Sequence, residues 1–321
     1  MPYSGYPNGI TSFGVPVMGN FPTFGDVYFV DYRNGLDGNT GKEPTRALKT
    51  LSAAYAKVTS NQNDVIYIDG DSTVVETSKI TWAKNRVHVV GLNGPPGHYG
   101  AGAKVSIGVT TDTSDTALIE VTGVRNTFTG IKFMSANTLT EALYCVADAG
   151  EYTRYFNCEF YHSGQAAVTT AAEVLGNGDS SMFYNCTFGD LTNSVTANGA
   201  HPNIMFDREQ VTGKVARDNY FENCLFLRNA ADADNVHIHT TAANDCERMM
   251  MFKDCTFMNN VLGTTMTVAI TNATTNAYFL FKNCTELGHT DFCADADTTT
   301  YCDGPNPVGT TTGQAVEMSA A

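Results

Sequence analysis

From about residue 26 to residue 290, short apolar runs alternate with clusters of Gly, Asn, Asp and Thr, and a helical period shows in one place only. Runs of β-branched and aromatic residues bounded by turn formers predict strands. The first spans Asp26 to Asp31, with Val27 and Phe29 facing the core and Tyr28 and Val30 as its other apolar positions. A turn cluster follows from Asn34 to Gly41, and then Leu48, Leu51, Tyr55 and Val58 fall on one helical face. Pro44 suits a first turn, so the helix is predicted over Pro44 to Val58. Strands are expected at Asp64 to Asp69 and Arg86 to Gly91, and Gly94-Pro95-Pro96-Gly97 opens a surface loop.

Beyond that point two kinds of strand alternate. The first kind is Ala117–Val121, Ala142–Val146, Ala172–Leu175, Asn203–Phe206, Asn235–His239 and Thr267–Thr271. The second carries a recurring motif: Phe156-Asn157-Cys158-Glu159-Phe160, Tyr184-Asn185-Cys186-Thr187-Phe188, Glu222-Asn223-Cys224-Leu225-Phe226, Lys253-Asp254-Cys255-Thr256-Phe257 and Lys282-Asn283-Cys284-Thr285-Glu286. A weaker member, Gly130-Ile131-Lys132-Phe133, precedes them. From cysteine to cysteine the intervals are 28, 38, 31 and 29 residues, and the longest holds Gly189 to Arg217, where a loop insertion is expected. A period of about 20 to 50 residues marks a stacked array in which each unit contacts its neighbours.

The motif itself says what would stack. A small apolar Cys can lie on the Cys one coil away, and aromatic rings can do the same. Asn tolerates unusual backbone angles and can bond the adjacent coil, which predicts an internal ladder of Asn157, Asn185, Asn223, Asp254 and Asn283 beside one of Cys158, Cys186, Cys224, Cys255 and Cys284. This combination resembles the right-handed parallel β-helix of the pectate-lyase-like superfamily, over roughly residues 26 to 290. The resemblance implies an all-β, single-stranded solenoid of eight or nine coils, with two strands assigned to each, and at ~4.8 Å per coil a rod of about 40 Å. The strand, Gly/Asp/Asn-rich loop and short helix with Ala47-Leu48-Lys49-Thr50-Leu51 resemble the N-terminal cap of phage β-helix and tailspike-like proteins. The organisation expected is an arm (1–25), a strand and capping helix (26–63), the coils (64–287) and a closing tail (288–321).

Charge and composition narrow the function. Charged residues make up 16% of the chain, below the usual ~25%. The balance of 19 basic and 33 acidic residues gives −14, which argues against nucleic acid as the partner. No charged-then-apolar leader and no long apolar run occur, so neither a signal peptide nor a membrane span is expected. Five of the nine cysteines fall in the motif and read as buried thiols; Cys293 and Cys302 lie in the tail, where they could pair. The arm is uncharged but carries Tyr3, Tyr6, Ile10, Phe13, Phe21 and Phe24. It has no regular structure of its own to expect, and it suits packing on the first coil or on another protein.

Three clusters bear on chemistry. Asp207-Arg208-Glu209 follows a strand, so the two acids share a face and form a candidate pair for glycoside cleavage, with a solvated turn as the other reading. The acidic calcium cluster plus Arg of the pectate lyases has no match here. His237 and His239, two apart on a strand with Asp234 and Asp245 nearby, are candidate metal ligands. Asp291, Asp295, Asp297 and Asp303 with Cys293 and Cys302 fit no known ligand spacing. No cofactor is expected. The phage resemblance implies a structural virion protein, and within that class a homotrimeric decoration or stabilisation protein on the capsid surface. Residues 1–25 would bind the major capsid protein or another virion protein. A tailspike-like protein that binds host surface glycan, or a polysaccharide lyase or hydrolase, is the alternative.

Overall fold

The computed structural model describes residues 25–70, 73–92, 103–107, 116–139, 141–162, 164–210, 213–293 and 299–303, preceded by two short strands, Thr11–Ser12 and Val15–Pro16. From Val27–Val30 onward every described strand belongs to one of three parallel sheets. Sheet I has ten strands, from Val27–Val30 to Thr300–Asp303. Sheet II has eight, from Thr73–Glu76 to Thr285–Leu287, and sheet III has eight, from Ile80–Trp82 to His289–Cys293. The chain visits I, II and III in turn, so each strand pairs with its equivalents one coil before and after, in register: Tyr155 opposite Phe128 and Phe183, Phe160 opposite Phe133 and Phe188.

A coil therefore has three strands, not two. The recurring motif is a corner and not a strand. Tyr184 ends Met182–Tyr184 in sheet I, Asn185 turns the chain, and Thr187–Phe188 starts sheet II. The turning residue is left-handed in every copy: φ is 53° at Asn157, 54° at Asn185 and Asn223, 53° at Asp254 and 51° at Asn283, with Gly130 at 66° in the weaker member. Those are the residue types that enter this region at least cost. A second column of left-handed residues lies where sheet III returns to sheet I: Arg125 (58°), Tyr152 (55°) and Ser180 (58°) in the connection, and Asp218 (47°) and Arg248 (70°) just inside the sheet I strands Ala216–Glu222 and Cys246–Lys253. The third corner, between sheets II and III, takes loops of varying length and holds the longest segment, 189–203.

The core follows from the register. Phe128, Tyr155, Phe183, Phe221, Phe252 and Phe281 stack along sheet I at ring spacings of 5.3, 4.6, 4.7, 4.6 and 4.7 Å. Phe133, Phe160, Phe188, Phe226 and Phe257 stack along sheet II at 5.4, 5.0, 4.8 and 4.5 Å. The spacing is that of hydrogen-bonded strands, so stacking is a consequence of coiling. Each buried ring contributes about 1.5–3 kcal/mol. The cysteines face inward between the two rows as expected. Each thiol reaches two carbonyls; Cys186 Sγ lies 3.4 Å from Tyr155 O and 3.5 Å from Tyr184 O.

The asparagines differ from expectation. They lie on the outside of the corner and bond one another, not the backbone: Asn185 Nδ2 to Asn157 Oδ1 at 2.6 Å, Asn223 Nδ2 to Asn185 Oδ1 at 3.0 Å, and Asn283 Nδ2 to Asp254 Oδ1 at 2.6 Å. A left-handed residue at a tight corner carries its side chain outward, which leaves the interior to the following Cys.

The N-terminal end is capped, with two changes. The single helix expected is a 3-10 turn, Pro44–Arg46, and a helix, Leu51–Lys57. Leu48 between them bridges to Val30, and Thr50 caps the helix by accepting from Ala53 N at 3.2 Å. Leu51, Ala54 and Val58 are buried against the coil, and Tyr55 stacks on Trp82 at 4.2 Å. In the first strand Tyr28 and Val30 point inward and not Val27 and Phe29. All four positions are apolar, so alternation alone could not choose the face. At the other end the coil continues past residue 287 through His289–Cys293 and Thr300–Asp303. Cys293 and Cys302 thereby lie on different sheets. The arm falls outside the described residues, save that Thr11–Ser12 and Val15–Pro16 form a small antiparallel pair where no regular strand was expected.

Candidate functional site

The acidic candidate is a turn. Asp207 follows Ile204–Phe206, and its carboxylate accepts from Glu209 N at 3.0 Å and Gln210 Nε2 at 3.3 Å. Asn177 of the preceding coil bonds both Asp207 N, at 3.1 Å, and Asp207 O, at 2.7 Å. Glu209 has an 80% exposed side chain and, among the described residues, its carboxylate meets Arg208 at 3.6 Å. Asp207 and Glu209 therefore do not share a face, because the strand has ended before they begin. Asp245, fully buried, likewise holds a turn through Thr241 N and Ala242 N at 2.8 and 2.6 Å.

The histidine candidate is split by a corner. His239 lies beside Met205 and Thr271 on the outer side of sheet III, with Nδ1 2.5 Å from Thr271 Oγ1. His237 precedes Ile238–Thr240 and points into the interior, fully buried. Among the described residues no group of three or more His, Cys, Asp or Glu side chains is arranged to hold a metal ion. Asp295 and Asp297 of the third cluster lie outside the described residues.

His237 instead belongs to a buried polar row beneath the corner between sheets II and III. Glu173 and Arg228, both 2% exposed, pair at 2.9 Å and again at 3.2 Å. Asn203 Nδ2 donates to Glu173 Oε2 (3.1 Å), Phe188 O (3.1 Å) and Leu227 O (3.0 Å), which leaves its Oδ1 to accept. His237 Nδ1, 2.6 Å away, must then donate, and its bare Nε2 accepts from His289 Nε2 at 3.0 Å. His289 is thus left with a bare Nδ1, 3.8 Å from Glu286 Oε2. His289 Nδ1, Glu286 Oε2 and Asp291 Oδ1 are all buried and make no hydrogen bond among the described residues. Burial pushes His289 down to about 4 and His237 well below the usual range. Burial, with Asp291 adding to it, pushes Glu286 up to about 7. This row was missed in the sequence, although one sign was present: Glu286 stands where the other four motif copies have Phe.

The outer face of sheet I is the other distinctive surface. In register along it run Arg154, Met182, Tyr220, Met251, Leu280 and Tyr301, and beside them Phe156 and Tyr184. Tyr278, 57% exposed, packs edge-on to Tyr301 at 5.7 Å, and Tyr184 is 39% exposed. Cross-strand ion pairs border this strip. On the sheet III side are Lys214–Glu151 (3.8 Å), Arg217–Asp179 (3.8 Å), Arg217–Glu247 (2.8 Å) and Arg248–Asp218 (2.5 Å). On the sheet II side Lys253 meets Glu222 at 2.5 Å and Asp254 at 3.5 Å.

No family model matches the sequence, and no curated protein matches it. Solved structures do. Pectate lyase Pel9A is 14% identical with a TM-score of 0.56, over 89% of this chain and 81% of that one. The pectin methylesterase of Aspergillus niger is 14% identical with a TM-score of 0.52, over 96% of each chain. The chain is a right-handed parallel β-helix. A Geobacillus virus E2 protein, ORF18, is 13% identical over 81% of this chain and 56% of that one, and its TM-score of 0.40 carries no argument. What the β-helix shares with these enzymes is the winding of the chain, since identities of 14% and below transfer no active site.

Proposed function

We propose that this β-helix is a structural protein of a phage virion, a trimeric decoration or stabilisation protein on the capsid surface, with residues 1–25 as its anchor to the major capsid protein or another virion protein. One observation carries the reading as a scaffold. The Asp207 carboxylate closes its own turn and Glu209 points into solvent, so the best acid pair in the sequence serves coil geometry and does not span a groove. The buried Glu173, Asp245 and His237 are engaged in the same way. The likeness of the cap sequence to phage β-helix proteins and the uncharged, aromatic composition of residues 1–25 support the virion setting. Imaging of intact particles tests it. Rods are expected over the capsid lattice, and density on the tail alone would remove the capsid assignment.

A second reading, a tailspike-like protein that binds or cleaves host glycan, is favoured by the exposed tyrosines on sheet I, since aromatic rings suit sugar faces. Incubation with a panel of polysaccharides separates the two. The scaffold reading expects no new reducing or unsaturated ends. Cleavage abolished by Asp207→Asn would establish the enzyme instead.

A further inference from the structure

We infer that the outer face of sheet I is where one copy of this chain seats a second copy. The inference rests on the trimeric reading above and names the surface that would carry it. Three features of the face lead there.

The first is its apolar content. The inward rows of sheet I already fill the core with Phe183, Phe221, Phe252 and their neighbours, so Met182, Tyr220, Met251, Leu280, Tyr278 and Tyr301 add nothing to the interior. A contiguous strip of large apolar side chains on an outer face is the surface type that partners cover.

The second is charge. The chain carries −14, and two copies repel over the ~8–10 Å reach of a charge in physiological salt. The pairs bordering the strip hold six acids and four bases, and the outer rows add Arg154, Lys282 and Asp303, so the formal charge of the strip is −1 of the chain's −14. A like-charged copy can approach where charge is nearly cancelled locally. A basic protein or an acidic polysaccharide would need unpaired charge to read, which these pairs do not offer.

The third is shape. From Thr127–Thr129 onward each corner from sheet I to sheet II is one or two residues long, and the corners from sheet III to sheet I are five residues long except 207–215 and 294–299, whereas the corner between sheets II and III holds the longest segment, 189–203. Ten strands at ~4.8 Å make the sheet about 43 Å long, and a width of about 14 Å gives a projected area near 600 Å². Rims included, this approaches the ~800 Å² per partner of a standard stable interface.

The test uses the full chain. Mass in solution by light scattering is expected near three times 34.5 kDa for the parent. Tyr184→Glu/Tyr278→Glu would set like charges across the contact and raise the dissociation constant about a hundredfold or more, with the melting temperature of the separated chain unchanged. Val261→Glu/Leu262→Glu, at the two most exposed large apolar residues among those described (93% and 90%) and away from sheet I, is expected to leave the trimer intact. Hydroxyl-radical footprinting of the parent needs no variant and is expected to protect Tyr184, Tyr278 and Tyr301 in the assembled form alone. A trimer that survives the sheet I substitutions with those tyrosines unprotected overturns this inference and leaves the trimeric reading standing. A parent of single-chain mass at every concentration overturns both. Protection of the same tyrosines in a single chain would assign the face to the chain's own N-terminal segment, and protection only when polysaccharide is added would assign it to a glycan; either overturns the inference.

Discussion

At the scale of the residue, the fold depends on a pair of neighbours with opposite tasks. Asn185 makes the corner from outside and Cys186 fills it from within, and the other motif copies repeat the division. Cys186→Asp is therefore expected to destabilise the protein by about 3–5 kcal/mol, since it buries a charge with no partner. Urea unfolding measures it, and a variant as stable as the parent would place the cysteines outside. The inward cysteines were legible in the sequence because they recur with aromatics. The outward direction of the asparagines was not, because the letters Asn-Cys do not say that a corner passes between them. A second residue-level prediction concerns Glu286. Its folded pKa, about 7, lies above the ordinary 4.5, so the fold favours the protonated form. That contribution is complete below about pH 4.5 and is lost as pH rises through 7. His289 has the opposite sign: pushed down to about 4, it contributes fully above about 6.5 and loses that as pH falls through 4. Melting temperatures across pH 4.5–8 should fall for the parent relative to Glu286→Gln. Parallel profiles would mean that Glu286 does not titrate in this range.

At the scale of the element, each strand is short and gains its stability from the coils above and below. The strands of sheet III were readable because their apolar runs are nearly contiguous, as at Ala117–Val121, and the cap because Leu48, Leu51, Tyr55 and Val58 recur at a helical period. The division of each coil into three was hidden. The left-handed residues where sheet III returns to sheet I, Arg125, Tyr152, Ser180, Asp218 and Arg248, share no property that a sequence pattern can use. The buried row was hidden for a related reason: Glu173 and Arg228 are 55 residues apart and meet across two coils. Removing one partner, Glu173→Leu, should cost about 3–5 kcal/mol by leaving the guanidinium buried and uncompensated. Glu173→Leu/Arg228→Met should recover most of that loss, and chemical denaturation of the three variants reads the coupling. Additive losses would show that the two groups act independently.

At the scale of the whole molecule, the sequence revealed a stacked array and where it starts, but the candidate catalytic and metal residues were judged on strand alternation that stops just short of them. Asp207 lies one residue beyond its strand and His237 one residue before its own, and at both ends the period of two no longer applies. Repeated heating and cooling should show a single cooperative transition, because the paired aromatic rows run through consecutive coils without interruption; two separated transitions would divide the rod into independent parts. The unequal corners have a practical consequence as well. From Thr127–Thr129 onward the corner from sheet I to sheet II is only one or two residues long, but the corner between sheets II and III accommodates segments of very different size, up to 189–203. A foreign peptide spliced between the exposed Asn193 and Ser194 would leave the winding untouched and project from one side of the rod, which makes that edge a natural display site.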